Sequence, residues 1–348
     1  MASMNGHVKV GIAGLGRSGW GIHANTFEKC PNLYKVVAVF DPLEERRLEA
    51  VQRFGCRAHS DFDSLIRDDR VEMVVVATPS HLHAAQTIQA LEAGKKVVCE
   101  KPMATSLAEA DAMIETARRT MKLLTVFQNR RFDADFLKVK EIIQSGKLGR
   151  IVLIKMSQHS FGRRWDWQTL RKFGGGELSN TGPHTIDQAL QLFGGKNPEI
   201  YCDLQRTLTL GDAEDHVKIV LRAPGLPTID IEVTRACAYP QETWVVMGTQ
   251  GGLKGNTSSL RWKYFDPKDL PPKQVDTNPT PDRSYNKEVI PWKEETWEME
   301  YEYTTSALAY YDALYKTLRQ GAPLAVTPES VRRVMWIIER CRKIGNFA

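Results

Sequence analysis

Val8-Lys9-Val10-Gly11-Ile12-Ala13-Gly14-Leu15-Gly16-Arg17-Ser18-Gly19 decides the fold. An apolar run of strand length, Val8–Ala13, leads straight into a G-x-G-x-x-G turn, and a helical pattern follows. In that setting Gly14 permits the tight turn, Gly16 lets the backbone approach a pyrophosphate, and Gly19 allows close packing of helix on strand. The helix N-terminus beyond it offers unpaired N–H groups to phosphate oxygens, with Arg17 and Ser18 in the same turn. A purely structural glycine turn is the competing reading. Asp41 argues against it: a carboxylate at the end of the next apolar run, roughly 20 residues on, is placed to bind both ribose hydroxyls. Such a carboxylate repels a 2′-phosphate, so NAD is expected rather than NADP, with Arg46 and Arg47 read as solvated helix residues.

Outward from this stretch, the first third alternates short apolar runs with helical patterns, the rhythm of βαβ units in a parallel sheet. Strands are expected at Val36–Phe40, Met73–Ala77, Lys96–Cys99 and Leu123–Phe127, with helices over 44–53, 82–93 and 107–119. After a helix near 133–144 the rhythm changes. Strand-like segments at Ile151–His159, 199–209, 215–222, 229–236 and 243–248 follow one another with turns between them, which predicts a mostly antiparallel sheet. Residues 266–295, rich in Pro, Asp, Asn and Lys, read as a long excursion, either a lid or an oligomer arm. Two helical patterns, 301–319 and 328–343, close the chain. The expected architecture is therefore α/β: a doubly wound Rossmann domain over residues 1–128, then an α/β domain with an open, mostly antiparallel sheet over 129–348.

A chain of 348 residues suits two domains. The net charge of +5 is spread among interspersed Lys, Arg, Asp and Glu with no basic block, so nucleic-acid and membrane-surface roles have no support. The six cysteines are far apart with no C-x-x-C, which argues against a zinc site and a secreted disulfide framework; no metal is expected. There is no cationic stretch followed by an apolar one at the start, and no apolar run near the roughly 18 residues of a membrane helix. A cytoplasmic protein is expected.

Two loops leave the carboxyl ends of expected strands, the edge where ligands bind in such sheets. One is Thr78-Pro79-Ser80-His81-Leu82-His83, from which Thr78, Pro79, His81 and His83 are candidate cofactor contacts; the other is Glu100-Lys101-Pro102. Lys101 before a proline is held out of a helix and is placed to polarise or deprotonate a hydroxyl. Further on, Gly174-Gly175-Gly176 leads through Asn180 and Pro183 to His184 and Asp187. Asn180 and His184, four apart, share a helix face if the helix starts early and otherwise flank one helix N-terminus. Arg163, Arg164, Trp165, Asp166 and Trp167 precede the glycines; aromatic faces suit the C–H face of a sugar ring, although core tryptophans fit as well. Gln128, Asn129 and Arg130 fall at the expected domain junction, Gln128 as a cofactor candidate and Arg130 as a substrate candidate.

The glycine loop, Glu100-Lys101-Pro102 and Gly-Gly-Gly…His184-x-x-Asp187 together resemble the glucose–fructose oxidoreductase / inositol dehydrogenase / rhizopine catabolism (Gfo/Idh/MocA) family over nearly the whole chain. The resemblance implies a Rossmann domain followed by an α/β domain whose open sheet often makes oligomer contacts, and so a homo-oligomer, dimer or tetramer. It also implies that Lys101 and His184 are catalytic, beside nicotinamide and substrate. Many members carry Asp where this chain has Asn180, and an amide cannot act as a base. Proton transfer is then left to Lys101 and His184, with Asp187 as a supporting or structural group. On this reading neutral His184 takes the hydroxyl proton and an ammonium Lys101 stabilises the alkoxide, although the sequence leaves open which group is the final acceptor. The expected function is hydride transfer between NAD and a secondary hydroxyl or ketone of a sugar, cyclitol or glycoside. A catalyst that retains its NAD, oxidising a glycoside transiently or exchanging hydride between two sugars, is the alternative; a non-catalytic dinucleotide sensor is the third.

Overall fold

The structure, a computed structural model, describes residues 6–280, 283–299 and 305–347. The first half builds β1 (Val8–Ala13), α1 (Asn25–Lys29), β2 (Tyr34–Phe40), α2 (Glu44–Phe54), β3 (Arg57–His59), α3 (Phe62–Arg67), β4 (Met73–Val76), α4 (His83–Glu92), β5 (Lys96–Cys99), α5 (Leu107–Thr120) and β6 (Leu124–Val126). The strands form one sheet in the order β3-β2-β1-β4-β5-β6, every neighbour pair parallel. Val74, Val75, Val76, Val97, Val98 and Cys99 are fully buried, because helices cover both faces of a parallel sheet and leave no solvent side to alternate toward. The sheet order reverses direction between β1 and β4, which opens a crevice at their carboxyl ends.

The second half contains α6 (Ala134–Gln144), β7 (Ile151–His159), α7 (Glu177–Asn180), α8 (Gly182–Phe193), β8 (Glu199–Gln205), β9 (His216–Arg222), β10 (Thr228–Thr234), β11 (Trp244–Gly248), β12 (Gly251–Gly255), β13 (Ser259–Tyr264), β14 (Lys293–Glu298), α9 (Thr305–Gln320) and α10 (Pro328–Ile344). Its eight strands lie in the order β14-β13-β12-β11-β7-β10-β9-β8. Among the described residues only β7 and β10 pair in parallel, so the sheet is mixed but mostly antiparallel, as the sequence predicts. Val217, Ile219, Leu221, Ile229, Ile231 and Val233 alternate inward and are buried, with α8 packed on β10 and α10 on β8. The excursion at 266–295 ends in β14, which closes one edge of the sheet with Lys293, Glu294, Glu295 and Glu298; charges along an edge strand oppose unwanted pairing. Its residues 281–282 lie outside the described residues, as do 301–304 at the start of the expected helix 301–319.

Residue 128 follows β6, yet the last two helices return to the first sheet. Arg319 on α9 makes a two-point ion pair with Glu72 (2.8 and 2.6 Å), and Arg332 on α10 pairs with Asp111 on α5. Tyr311 on α9 is fully buried among His23, Phe27, Tyr34 and Phe127. Burying a side chain of that size stabilises by roughly 2–3 kcal/mol. The two halves are thus locked together around the crevice. Among the described residues no helix is long and apolar enough to cross a membrane.

Candidate active site

Two cavities meet at the carboxyl edge of the parallel sheet. The larger, about 710 Å³, runs from Gly14, Gly16, Arg17 and Ser18 past Asp41 and Thr78 to Lys101, and the loop Arg164–Gln168 of the second half forms its far wall. The smaller, about 130 Å³, is lined by polar groups that include Asn129, Arg130, Asp133, Asn180, His184 and Ser306. Arg17, Ser18, Glu100 and Lys101 line both.

The glycine loop fits a dinucleotide. Gly14 has φ +89°, and a Cβ on it would lie 2.7 Å from Ala77 O. A Cβ on Gly16 would meet nothing nearer than Arg46 Nη1 at 4.0 Å, so it would stand in the open cavity where a pyrophosphate must approach. After Gly19 the chain takes a wide, π-type turn over Gly19–Ala24 before α1. Asp41 is buried at the end of β2: its Oδ2 accepts from Leu15 N–H (2.7 Å) and its Oδ1 from Leu43 N–H (2.9 Å). Arg46 Nη1 lies 3.5 Å from Asp41 Oδ2, and Arg47 donates to Asp41 O (2.8 Å). These two arginines therefore frame the Asp41 corner, with Arg46 on the cavity wall, and are not simply solvated helix residues.

Thr78 and Pro79 line the larger cavity. His83 is buried beside them, its ring nitrogens 2.7 Å from Pro102 O and 2.8 Å from Thr78 O, so it ties this loop to the Lys101–Pro102 turn. His81 points away: it is exposed, against the Phe173 ring (5.2 Å), and lines neither cavity. Gln128 is buried off both cavities, donating to Pro183 O (3.3 Å). Trp165 is 77% exposed and off both, whereas Arg164 and Trp167 stand on the larger cavity. Arg164 is braced by Asp166 (2.9 and 2.8 Å) and Gln168 (2.6 Å).

Lys101 sits where the cavities join. Its Nζ donates to Asn180 O (2.7 Å) and Asn180 Oδ1 (3.3 Å). Burial pulls its pKa down to about 8; Glu100 opposes this, and Arg17 and Arg130 reinforce it. Asn180 ends the short helix α7, and His184 lies in the first turn of α8, so they flank a helix junction and do not share one helix face. Burial, together with the positive charges of Arg130, Lys101 and Arg17, holds the His184 pKa well below its ordinary value; the ring is neutral at neutral pH. Its Nδ1 is buried without a hydrogen-bond partner among the described residues. Asp187 faces the other way, gripped by Arg131 (2.7 and 2.6 Å), which fits a structural group.

Sequence reasoning missed the support behind Glu100. His23 Nε2 lies 3.1 Å from Glu100 Oε1, and His23 Nδ1 lies 2.7 Å from the Tyr311 hydroxyl. Burial pushes the Glu100 pKa up, but His23, Lys101 and the Lys101 N–H together bring it to about 2. An ionised Glu100 can only accept, so His23 Nε2 carries the proton between them. No spacing links residues so far apart; only the return of α9 brings Tyr311 to the site. Asp133 was missed for another reason: the helical pattern near 133–144 absorbs it, whereas the helix begins at Ala134.

The GFO_IDH_MocA model, described as an oxidoreductase family with an NAD-binding Rossmann fold, matches residues 8–128, and the GFO/IDH/MocA C-terminal domain model matches 136–254. A myo-inositol 2-dehydrogenase of Thermotoga maritima is 32% identical over 71% of this chain and 74% of its own length. A scyllo-inositol 2-dehydrogenase (NADP(+)) of Bacillus subtilis is 27% identical over 95% of this chain and 92% of its own. The solved structure of the oxidoreductase yvaA from Bacillus subtilis superposes with a TM-score of 0.80, covering 98% of both chains at 22% identity, which establishes the fold. Family models over both halves, a close curated relative and a shared two-sheet architecture make this chain a member of the GFO/IDH/MocA oxidoreductase family.

Proposed function

We propose that the protein is an NAD-dependent oxidoreductase for a secondary hydroxyl or ketone of a sugar, cyclitol or glycoside. Residues 1–128 hold the dinucleotide, and residues 129–348 supply most of the substrate wall. The observation that carries this reading is Lys101 Nζ, fixed by Asn180 at the junction of a dinucleotide-sized cavity and a small polar one that also holds His184. The names of the inositol dehydrogenase relatives support a polyol substrate.

When bound, the nicotinamide supplies a hydride acceptor for the alcohol or a donor for the ketone. Lys101 is the better proton acceptor of the two candidates, because a general base works best with a pKa near the operating pH. A neutral lysine keeps two N–H donors for Asn180 and presents its lone pair to the substrate hydroxyl. Neutral His184 orients that oxygen; forming an imidazolium among Arg17, Lys101 and Arg130 is unfavourable. This reverses the assignment expected from sequence. Arg17, Arg130 and Arg164 complete a wall able to bind hydroxyls, and Trp167 offers an apolar face.

The pH dependence follows. Lys101 is mostly ammonium below about 8 and mostly amine above it. The oxidation kcat/KM should therefore rise as pH increases through about 8, and the reduction should fall. A flat oxidation profile across that interval removes Lys101 as the base.

The Asp41 corner favours NAD, whose ribose hydroxyls the carboxylate can accept from. Asp41→Ser should weaken NAD binding and strengthen NADP binding, because Arg46 then lacks its carboxylate partner and faces a 2′-phosphate. Calorimetric Kd values for both dinucleotides test this; an unchanged ratio rules the corner out as the selector. The functional reading is tested with a polyol deuterated at the carbinol carbon: the label should appear in the reduced nicotinamide. As a homo-oligomer, the protein would use the open face of the second sheet, where Tyr201 and Met247 stay exposed.

A further inference from the structure

Lys101 Nζ reaches from the first half of the chain to Asn180 in the second, and another bridge runs beside it. Arg342, in the last turn of α10, donates from Nη1 to Thr105 O (2.7 Å) and from Nη2 to the Ser179 hydroxyl (2.6 Å). Thr105 follows Lys101 in the same loop, and Ser179 is the chain neighbour of Asn180. One guanidinium therefore grips the same two segments that the Lys101–Asn180 contact joins. Its planar fork aims two donors in fixed directions from one rigid group.

The segment on the far side needs such a hold. α7 has four residues, and a helix that short has no stability of its own in water. Its start is satisfied from outside: Glu177 N–H donates to Glu214 O (2.9 Å) and Leu178 N–H to Glu214 Oε1 (3.0 Å). Gly176, with φ +100°, makes room for that carboxylate, since a Cβ there would collide with it. Arg235 Nε donates to Glu177 Oε1 (2.9 Å). At its other end α7 meets Arg342 through Ser179 and Lys101 through Asn180. A lysine that trades its proton in every turnover is a changing support for its own partner. Arginine does not deprotonate in proteins, so the Arg342 bridge stays charged throughout.

We infer that Arg342 is a positioning residue: by joining Ser179 to Thr105 it holds Asn180 against Lys101, and so keeps the Lys101 amine aimed and shielded from water where the cavities meet. This rests on Lys101 as the proton acceptor proposed above. Misplacement of a reacting group by about 1 Å, even from a distant cause, can cost on the order of 100-fold in rate. A loosened α7 also admits water to Lys101. Burial is what lowers the Lys101 pKa, with Arg17 and Arg130 and against Glu100 and Glu177, so hydration moves it back up.

The experiment measures the pH profile of oxidation kcat/KM, with calorimetric NAD binding, for the wild type, Arg342→Met, Arg342→Lys and Ser179→Ala. The wild-type rise should fall near about 8. In Arg342→Met it should move up by about one pH unit, which lowers kcat/KM about tenfold near neutral pH and restores most of it in strong alkali. Ser179→Ala removes one acceptor and places a stronger helix former in α7, so it should shift the rise the same way in a folded protein. Arg342→Lys, able to keep one of the two bonds, should return part of the shift. NAD affinity should hold in all three. If Arg342→Met does not fold, Ser179→Ala decides. A rise that stays at the wild-type pH, or a loss by the same factor at every pH, overturns the inference. A wild type with no rise near pH 8 instead removes Lys101 as the base and takes this inference with it, an outcome read from the unmodified protein.

Discussion

Lys101→Met lowers kcat for polyol oxidation by about a thousandfold while the protein still binds NAD, the scale of losing a positioned acid–base group. The substitution keeps an unbranched apolar stem and removes the terminal nitrogen, so the packing of the turn beside Pro102 survives. What disappears is the group that Asn180 O and Oδ1 hold at the junction of the cavities. His184 cannot take over, because its burial among Arg130, Lys101 and Arg17 disfavours the imidazolium. Lys101→Arg sharpens the test: arginine keeps the positive charge but does not deprotonate in proteins. It should be nearly as inactive in oxidation, and the rise through pH 8 should vanish from both variants. Steady-state kinetics with a parallel dinucleotide titration checks this, and near-normal turnover of Lys101→Met with NAD bound would exclude the assignment.

Gly19→Ala abolishes tight dinucleotide binding and lowers the melting temperature. A Cβ on Gly19 would lie 1.8 Å from Gly14 O and 2.9 Å from Gly14 C, with Ala77 Cβ beyond them at 3.5 Å. The near neighbour is backbone, so no side chain can swing aside, and the whole phosphate-binding turn must shift. Overpacking of this kind costs roughly 1–3 kcal/mol of stability, and the displaced turn no longer offers its N–H groups to phosphate. Gly21→Ala is the control, since nothing lies within 4 Å of a Cβ there. Melting curves and NAD titrations of the two variants should diverge; equal behaviour would mean that the turn is not held as described.

The first sheet was legible because its signals are local. Val8–Ala13 and Lys96–Cys99 are apolar runs bounded by turn residues, and they occupy the strands expected of them. The parallel order follows from helices between strands. The short strand β3 and helix α3 escaped, since Arg57–His59 is an exposed edge with no apolar run to announce it. In the second sheet β12 escaped for a related reason: Gly251, Gly252 and Gly255 leave Leu253 as its only large apolar side chain. Gly14, Gly16, Asp41, Lys101, Asn180 and His184, each singled out beside a motif with a chemical rationale, line the two cavities of the candidate site. His81 and Gln128 were read from their neighbours in sequence, and the fold turns both away from the cavities. His23, Tyr311 and Asp133 belong to the opposite case, in which tertiary packing gives an ordinary residue a place that no spacing encodes.

On the proposed function, hydride moves between this chain's dinucleotide and a polyol. The most direct test is the nucleotide content of the purified protein and its NADH yield against a panel of sugars, inositols and glycosides with NAD supplied. Net NADH should form in step with loss of one or a few polyols. No NADH and no substrate loss across the panel, from protein shown to bind NAD, would contradict it.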